Sequence, residues 1–249
     1  MSAPEPPGRD AGAGGTALPP VQWLLLASLL LAVGAANIAQ PYPALAPLQH
    51  VPTVAIALAA PWLLRRWPLT TGAVALLWLF LLLHTLGGRY IYSYVPYEAW
   101  LAALSGGEAP GLPEAGSPGD ARNAYDRFVH FMFGLLCTPV LAQIGQRHGE
   151  LRRRPAWLLG FALIGLAGAL YEVFEWQLTL ILAGETADHY NGQQGDLWDP
   201  QKDMALAQLG SLIAWLLAAL LHRKALKRRE PRVEGDERRH VDARPLPRA

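Results

Sequence analysis

Hydrophobic residues occur along this chain in long runs that short polar or basic segments separate. A helix that crosses a bilayer core of about 30 Å needs roughly 20 predominantly apolar residues. Most of the runs approach or exceed that length, and a proline at position 61 in the short second run predicts a kink or an early end there. The pattern predicts an all-α, polytopic membrane helix bundle of about six transmembrane helices. In chain order the runs, called spans 1 to 6 below, cover residues 21–39, 51–64, 69–88, 128–145, 157–183 and 204–221.

The segments outside the spans differ sharply in composition. Residues 1–19 are rich in Pro, Gly and Ala, and residues 223–249 are polar and charged. Neither segment has enough large apolar residues to bury a core, so both are predicted to be disordered tails. They flank a predicted membrane domain at residues 20–222. Span 1 is interpreted as an uncleaved helix rather than a signal peptide, because the tail before it is long and poorly basic.

Composition agrees with a membrane protein. The chain has 249 residues, of which 52% are hydrophobic and 16% are charged, whereas soluble domains have about 25% charged residues. The formal net charge is +1 and no stretch resembles a nucleic-acid-binding module, so the expected partner is the lipid bilayer and not nucleic acid. The single cysteine, Cys137, excludes an internal disulfide. Composition leaves the cofactor and the oligomeric state unknown.

Lys and Arg in the short connectors predict the orientation. They cluster at residues 65–66, 147–154 and 223–229, whereas the connector between spans 1 and 2 has none and that between spans 5 and 6 has only Lys202. Basic residues are enriched in cytoplasmic connectors. Six spans place all three clusters on one side, so a multi-pass membrane protein with both termini cytoplasmic is predicted.

Four separate segments bring histidines and carboxylates to one level of this topology, the outer half of the membrane. A charged side chain at the centre of a membrane helix costs about 2.5–3.5 kcal/mol on insertion scales, so such residues are expected to face protein, water or a cation. Spacings of three and four residues place acids on shared helix faces. An outward-facing polar pocket is therefore predicted. Its expected residues are His84, Asp126, His130, Glu172, Glu175, Asp196, Asp199 and Asp203.

Carboxylates beside imidazole can exchange protons with a substrate or bind a divalent cation. The predicted catalytic residues are Glu175, His130, Asp126, Glu172 and Asp203. A divalent metal, the candidate cofactor, would be held by His130, Glu175 and Asp203. The predicted substrate-binding residues are His84, Arg127, Gln177, Asp196 and Asp199.

Each of these residues also has a purely structural interpretation. Asp199 precedes Pro200, a pair typical of a helix N-terminus. The two glutamates of span 5 could neutralise Arg127 and Lys202 and so hold the bundle together. His84, near a helix end, could be an interfacial histidine with no ligand role.

Four motifs carry a resemblance to a known family. They are "HTLGGRYIYSYVPY" (84–97), "YDRFVHFMFG" (125–134), "YEVFEWQ" (171–177) and "GDLWDPQKDM" (195–204). The chain resembles the YjdF-like family of uncharacterised bacterial inner-membrane proteins over residues 20–222. More distantly it is similar to VanZ-like membrane proteins, on Asp126, His130, Glu175 and Asp203. The resemblance implies the membrane fold, a location in a bacterial inner (cell) membrane and the polar site, and it implies no particular reaction.

Three functions fit these observations. The first is an enzyme that acts on a lipid-linked or cell-envelope substrate at the outer leaflet. The second is an accessory or structural membrane protein with an architectural polar network. The third is a proton-coupled transporter, although the two halves show no inverted repeat. Hydrolase motifs such as H-E-x-x-H and G-x-S-x-G are absent from the sequence, so whether the protein is an enzyme stays open at this stage.

Overall fold

The computed structural model describes residues 17–106, 122–181 and 193–229. All regular elements in these ranges are helices, and five of them are long and apolar enough to cross a membrane. The prediction of an all-α, polytopic membrane bundle is therefore confirmed. The helices are α1 (Pro20–Ala36), α2 (Ala46–Arg66), α3 (Thr71–Arg89), α4 (Tyr97–Ser105), α5 (Tyr125–Arg147), α6 (Arg153–Ile181) and α7 (Asp199–Arg229).

The five long helices are α2, α3, α5, α6 and α7. Helix α1 is apolar but has only 17 residues, somewhat short of the roughly 20 that a full crossing needs. Helix α7 continues past residue 222 to Arg229, so the first residues of the predicted C-terminal tail are helical. Most of both predicted tails lies outside the described residues, and the domain division stays a prediction.

Helix α2 is longer than span 2 at both ends. It runs from Ala46 to Arg66 with Pro52 and Pro61 inside it. Of the two outcomes predicted at Pro61, a kink or an early end, the early end does not occur. A proline removes one backbone hydrogen bond, and here the helix continues for another turn beyond it. The N-terminal extension carries buried His50, which contacts the Asn37 side chain at 2.9 Å and the Thr85 carbonyl at 3.3 Å. The sequence pattern missed this extension because its polar residues face protein, not lipid.

Helix α5 lies at the centre of the bundle, against α3, α6 and most extensively α7. A side chain at Gly134 would collide with the α7 backbone at Ala207, and one at Gly210 would collide with the α5 backbone at Phe131. Small residues of this kind let membrane helices approach closely. The contact is reinforced by a 2.6 Å hydrogen bond between the buried hydroxyls of Thr138 and Ser211.

The arginines around the α2–α3 and α5–α6 connections lie at one end of the bundle, and the buried carboxylates lie at the other. At one end, the Thr70 N–H before α3 donates to Gln143 near the end of α5 at 2.9 Å, and Arg153 at the start of α6 donates to the Ala218 carbonyl of α7 at 2.6 Å. Arg147 at the end of α5 belongs to this basic end. The first turns of α5 and α7 and the C-terminal half of α6 form the other end, where the carboxylates are found.

We expect Gly134→Ala to destabilise the bundle, because its methyl group would force α5 and α7 apart. Overpacking of this kind typically costs about 1–3 kcal/mol. Gly34→Ala in α1 is the matched control, since a methyl group there meets no other atom within 4 Å. Thermal unfolding in detergent should show a lower Tm for the first variant only. Equal Tm values for the two variants would contradict the close α5–α7 contact.

The predicted orientation can be tested with single cysteines in a Cys137→Ser background. Ser105→Cys and Glu150→Cys place exposed thiols beside α4 and between α5 and α6 respectively. A membrane-impermeant maleimide should label position 105 in intact spheroplasts and position 150 only after lysis. His222→Cys, toward the basic end of α7, serves as a second cytoplasmic reporter. Labelling of position 150 in intact spheroplasts would reverse the topology.

Candidate functional site

A carboxylate–histidine cluster, defined here as Asp126, His130, Glu172 and Asp203, lies where α5, α6 and α7 meet. The His130 Nε2 atom is 3.6 Å from Asp126 Oδ1 and 4.0 Å from Glu172 Oε1. Asp126, His130 and Asp203 each offer a ligand atom, and these three atoms lie within 4.8 Å of one another. Glu172 is 8% exposed and Asp203 is 3% exposed. The structure thus brings four of the five predicted catalytic residues together.

Glu175, the fifth, lies beside the cluster and not inside it. It lines a cavity of about 250 Å³ together with Glu172 and Asp203, and the Tyr171 side chain is hydrogen-bonded to its carboxyl group. This cavity, called the polar cavity below, is also lined by Trp176, Thr179, Gln193, Asp199 and Pro200. The predicted metal ligands included Glu175, whereas the three atoms that converge belong to Asp126, His130 and Asp203.

A second cavity, of about 280 Å³, opens on the other side of the cluster. Asp126 and His130 form part of its wall, and apolar and aromatic side chains form most of the rest. It is called the aromatic cavity below. Its other lining residues are Pro52, Ile56, Phe80, Leu81, His84, Tyr92, Val129, Phe133, Ala167, Gly168 and Tyr171. The cluster therefore lies between one polar and one largely apolar space.

His84 lines the aromatic cavity, and both of its ring nitrogens are engaged. Its Nε2 atom is 3.0 Å from the Gln49 carbonyl oxygen, and its Nδ1 atom contacts the Tyr92 hydroxyl. A carbonyl can only accept a hydrogen bond, so Nε2 carries a proton and donates it to Gln49. His84 is thereby fixed in the cavity wall between α2 and the turn that follows α3.

Sequence reasoning missed Tyr92, which a strained turn brings into this cavity. Ile91 and Tyr92 have φ angles of +43° and +57°, a region that side-chain-bearing residues seldom occupy, β-branched ones least of all. Strain of this kind persists only where the surrounding structure holds it. Here Ile91 is fully buried, and the absence of a side chain at Gly87 makes room for the Tyr92 ring. The available signal was the run of tyrosines in "GGRYIYSY" (87–94) directly after span 3.

A layer of ion pairs, the ion-pair layer, covers the polar side of the cluster. Arg122 and Arg127 both pair with Asp199, Arg127 at 3.2 Å. Arg127 also pairs with Asp196, which contacts the Lys202 ammonium at 2.6 Å. Asp199 begins α7, as its Asp-Pro pair predicts. Its carboxylate forms ion pairs with the two arginines. Arg122 was not singled out from the sequence because it lies in a connector.

The outermost acid of this layer, Asp196, lies before α7 and outside the spans. The Lys202 ammonium holds the pKa of its carboxyl group well below the ordinary range, with help from the Trp198 N–H and the Arg127 guanidinium. Asp196 is therefore charged throughout the physiological pH range. A folded-state pKa below the unfolded one gives stability that is present at neutral pH and is lost only when the pH falls through the folded value.

Gln177 is separated from these groups. It is an exposed residue of α6, and it is not among the described residues that line the aromatic cavity or the polar cavity. The structure thus brings His84, Arg127, Asp196 and Asp199 to the site region and leaves Gln177 on another face of its helix. The predicted roles of all these residues in binding or catalysis stay predictions.

The fold and site define a class: a multi-pass helical membrane protein with buried carboxylates and imidazole at one end of its bundle. The chain belongs to the family described as "Predicted membrane protein (DUF2238)", whose model matches residues 21–224. It is 34% identical over 169 residues to Inner membrane protein YjdF of Escherichia coli (strain K12), covering 66% of this chain and 72% of that protein. No solved structure matches. The resemblance to YjdF-like inner-membrane proteins is thereby confirmed.

We expect Asp199→Asn to destabilise the fold far more than Asp196→Asn does. Asp199 is 1% exposed and pairs with two guanidinium groups, so its neutralisation leaves buried positive charge, at a typical cost of about 3–5 kcal/mol. Asp196 lies nearer the surface, where solvent screens an ion pair and leaves it little net effect on stability. Chemical denaturation in detergent measures the free energy of unfolding of the wild type and of each variant. Equal losses would show that burial does not distinguish the two acids.

Proposed function

We propose that this chain is a membrane enzyme that acts on an amphiphilic substrate, a lipid or a lipid-linked molecule of the cell envelope. The observation that carries the proposal is the position of the carboxylate–histidine cluster between the aromatic cavity and the polar cavity. A molecule with an apolar chain on one side and a polar headgroup on the other would place the bond between them at the cluster.

The two cavities suit the two parts of such a substrate. The aromatic cavity has a wall of Phe80, Leu81 and Phe133 beside the cluster, which suits an acyl or prenyl chain. Glu172, Glu175 and Gln193 in the polar cavity offer hydrogen-bonding groups to a headgroup. Ligand sites typically combine an apolar lining with a few polar groups that fix the orientation of the ligand. The cavities have volumes of about 280 and 250 Å³, so together they reach the usual size of such a site.

The cluster has the groups that proton transfer requires. His130 lies between Asp126 and Glu172, so an imidazole is flanked by two carboxyl groups. Such an arrangement lets one group take a proton from an attacking water or hydroxyl while another gives one to the leaving group. We infer a hydrolysis or group transfer at the ester or phosphoester linkage of the substrate. The basic residues at the opposite end of the bundle favour a site that faces outward.

An architectural network is the second candidate, and the ion-pair layer favours it. Arg122, Arg127 and Lys202 are all paired with Asp196 or Asp199, as stabilising contacts would be. The cluster differs in its ionic partners. Among the described residues, Asp126 and Glu172 have only the His130 imidazole within ion-pair distance, and Glu172 Oε1 and Asp203 Oδ1 are buried acceptors that receive no hydrogen bond. A network selected only for stability would pair buried acids with cationic groups, so the enzyme is preferred.

The proposal predicts that His130→Gln and Asp126→Asn abolish turnover without preventing folding. The wild-type protein in nanodiscs is incubated with a bacterial polar-lipid extract and, separately, with a lipid-linked oligosaccharide fraction, and products are followed by mass spectrometry. Loss of a general acid or base should lower the rate about 10²- to 10⁴-fold. Glu150→Gln, an exposed acid at the basic end, is the matched control and should keep full activity.

The same variants separate the candidates. If the wild-type protein converts neither fraction, and His130→Gln only lowers the Tm, the architectural function is supported and the enzyme is rejected. Turnover that disappears in His130→Gln and persists in Glu150→Gln supports the enzyme.

A further inference from the structure

We propose that Asp126, His130 and Asp203 bind one divalent transition-metal ion and that Glu172 completes its coordination. This site does not depend on the proposed enzyme function, because an ion can be bound there whether or not a lipid is converted. The inference rests on the positions of four side chains, on two buried oxygen atoms and on the distribution of charge around them.

The three ligand atoms are close to coordinating distance. Zn²⁺ holds nitrogen and oxygen ligands at about 2.0–2.2 Å, so two ligand atoms on one ion are at most about 4.4 Å apart. The atoms of Asp126, His130 and Asp203 all lie within 4.8 Å of one another, so closure around an ion requires shifts of only a few tenths of an ångström. All three residues come from α5 and α7, whose backbones are in close contact at Gly134 and Gly210. The supporting scaffold is therefore rigid.

Two buried carboxylate oxygens give an independent indication of a missing partner. Glu172 Oε1 lies 4.0 Å from His130 Nε2 and accepts no hydrogen bond from the described residues, although the residue is only 8% exposed. Asp203 Oδ1 is likewise without a hydrogen-bond donor in the described part of the chain, and Asp203 is 3% exposed. Buried polar atoms in native proteins nearly always have a partner. A cation at the cluster would supply one to both oxygens.

The charges around the cluster also favour a cation. Asp126, Glu172 and Asp203 place three carboxyl groups around a single imidazole, and Glu175 adds a fourth beside them. The cationic side chains nearby, Arg122, Arg127 and Lys202, are paired with the two other acids, Asp196 and Asp199. Negative charge that is buried must be offset by protons, by a partner or by a metal. A divalent ion offsets two of these charges at once.

The ligand chemistry narrows the choice of metal. Imidazole suits Zn²⁺, Fe²⁺, Cu²⁺ and Ni²⁺, whereas Ca²⁺ and Mg²⁺ prefer oxygen ligands alone. One nitrogen with two or three carboxylate oxygens therefore fits Zn²⁺, and also Mn²⁺, better than Ca²⁺ or Mg²⁺. Glu172 and Asp203 line the polar cavity, which gives an ion a hydrophilic route to the cluster.

Metal binding can be measured directly on the full-length protein, purified in detergent with its affinity tag removed. Elemental analysis of protein prepared without chelators should find about one transition-metal ion per chain. After stripping with a chelator, calorimetric titration with Zn²⁺ or Mn²⁺ should show one saturable site, and equal concentrations of Mg²⁺ or Ca²⁺ should not fill it. Stripping should also lower the Tm, and added Zn²⁺ or Mn²⁺ should restore it.

Substitutions then assign the ligands. Asp203→Asn and His130→Gln should each weaken Zn²⁺ binding by at least tenfold, and Glu172→Gln should weaken it to a smaller extent. Asp196→Asn removes the same charge from the ion-pair layer and should bind as the wild type does. If the ligand variants fail to accumulate, the wild-type titration still decides whether the site exists.

A wild-type protein that carries no metal, shows no saturable Zn²⁺ or Mn²⁺ binding and keeps its Tm after stripping would overturn the site. Equal affinity in wild type, Asp203→Asn and His130→Gln would overturn it too. Failure here is distinguishable from failure of the enzyme proposal. Protein that converts a lipid but shows no saturable Zn²⁺ or Mn²⁺ binding would reject this site alone, whereas one bound metal without turnover of any lipid fraction would support this site and reject the enzyme.

Discussion

Gly134 and Gly210 allow the backbones of α5 and α7 to touch, and the position of the site follows from that contact. The two helices run parallel, because both begin at the carboxylate end, and the hydrogen bond between Thr138 and Ser211 fixes their relative height. His130 lies eight residues before Thr138, and Asp203 lies eight residues before Ser211. Eight residues of helix rise about 12 Å, so the two functional candidates reach the same level on neighbouring helices.

This register explains why acids and imidazole meet although they are far apart in sequence. The ion-pair layer and the cluster differ in how the charge of their buried acids is compensated. In the ion-pair layer, each acid has a guanidinium or ammonium partner, as buried charge requires. In the cluster, carboxyl groups crowd one imidazole and leave two oxygens without donors among the described residues. In the second arrangement, the buried atoms without a donor are carboxylate acceptors, the kind of atom that a bound cation would contact.

The sequence predicts most of this architecture, because its dominant signals are local. Long apolar runs predict the membrane helices, and intramembrane acids at matching depths predict the convergence of α5, α6 and α7. The misses come from contacts that are distant in sequence. Buried His50 and Gln49 extend α2 into a polar segment, because their partners lie on other elements. A strained turn places Tyr92 in the wall of the aromatic cavity. Arg122 pairs with Asp199, which is 77 residues away in sequence. Neither hydrophobic periodicity nor the spacing of residues predicts contacts of this kind.

The two glutamates of α6 lie within one helical turn of each other and face two different parts of the site. Glu172 faces the cluster and Glu175 faces the polar cavity, whereas Val173 between them is exposed on the outer surface. Neither acid has to face lipid, which removes the cost that made them conspicuous in the sequence. Helix α6 is held against α7 at Gly165 and Gly168, which lie beside Gln208 and Met204. The position of Glu172 beside His130 therefore depends on two small residues one to two turns away. A larger side chain at either glycine would push α6 away from α7 and so move Glu172 relative to His130.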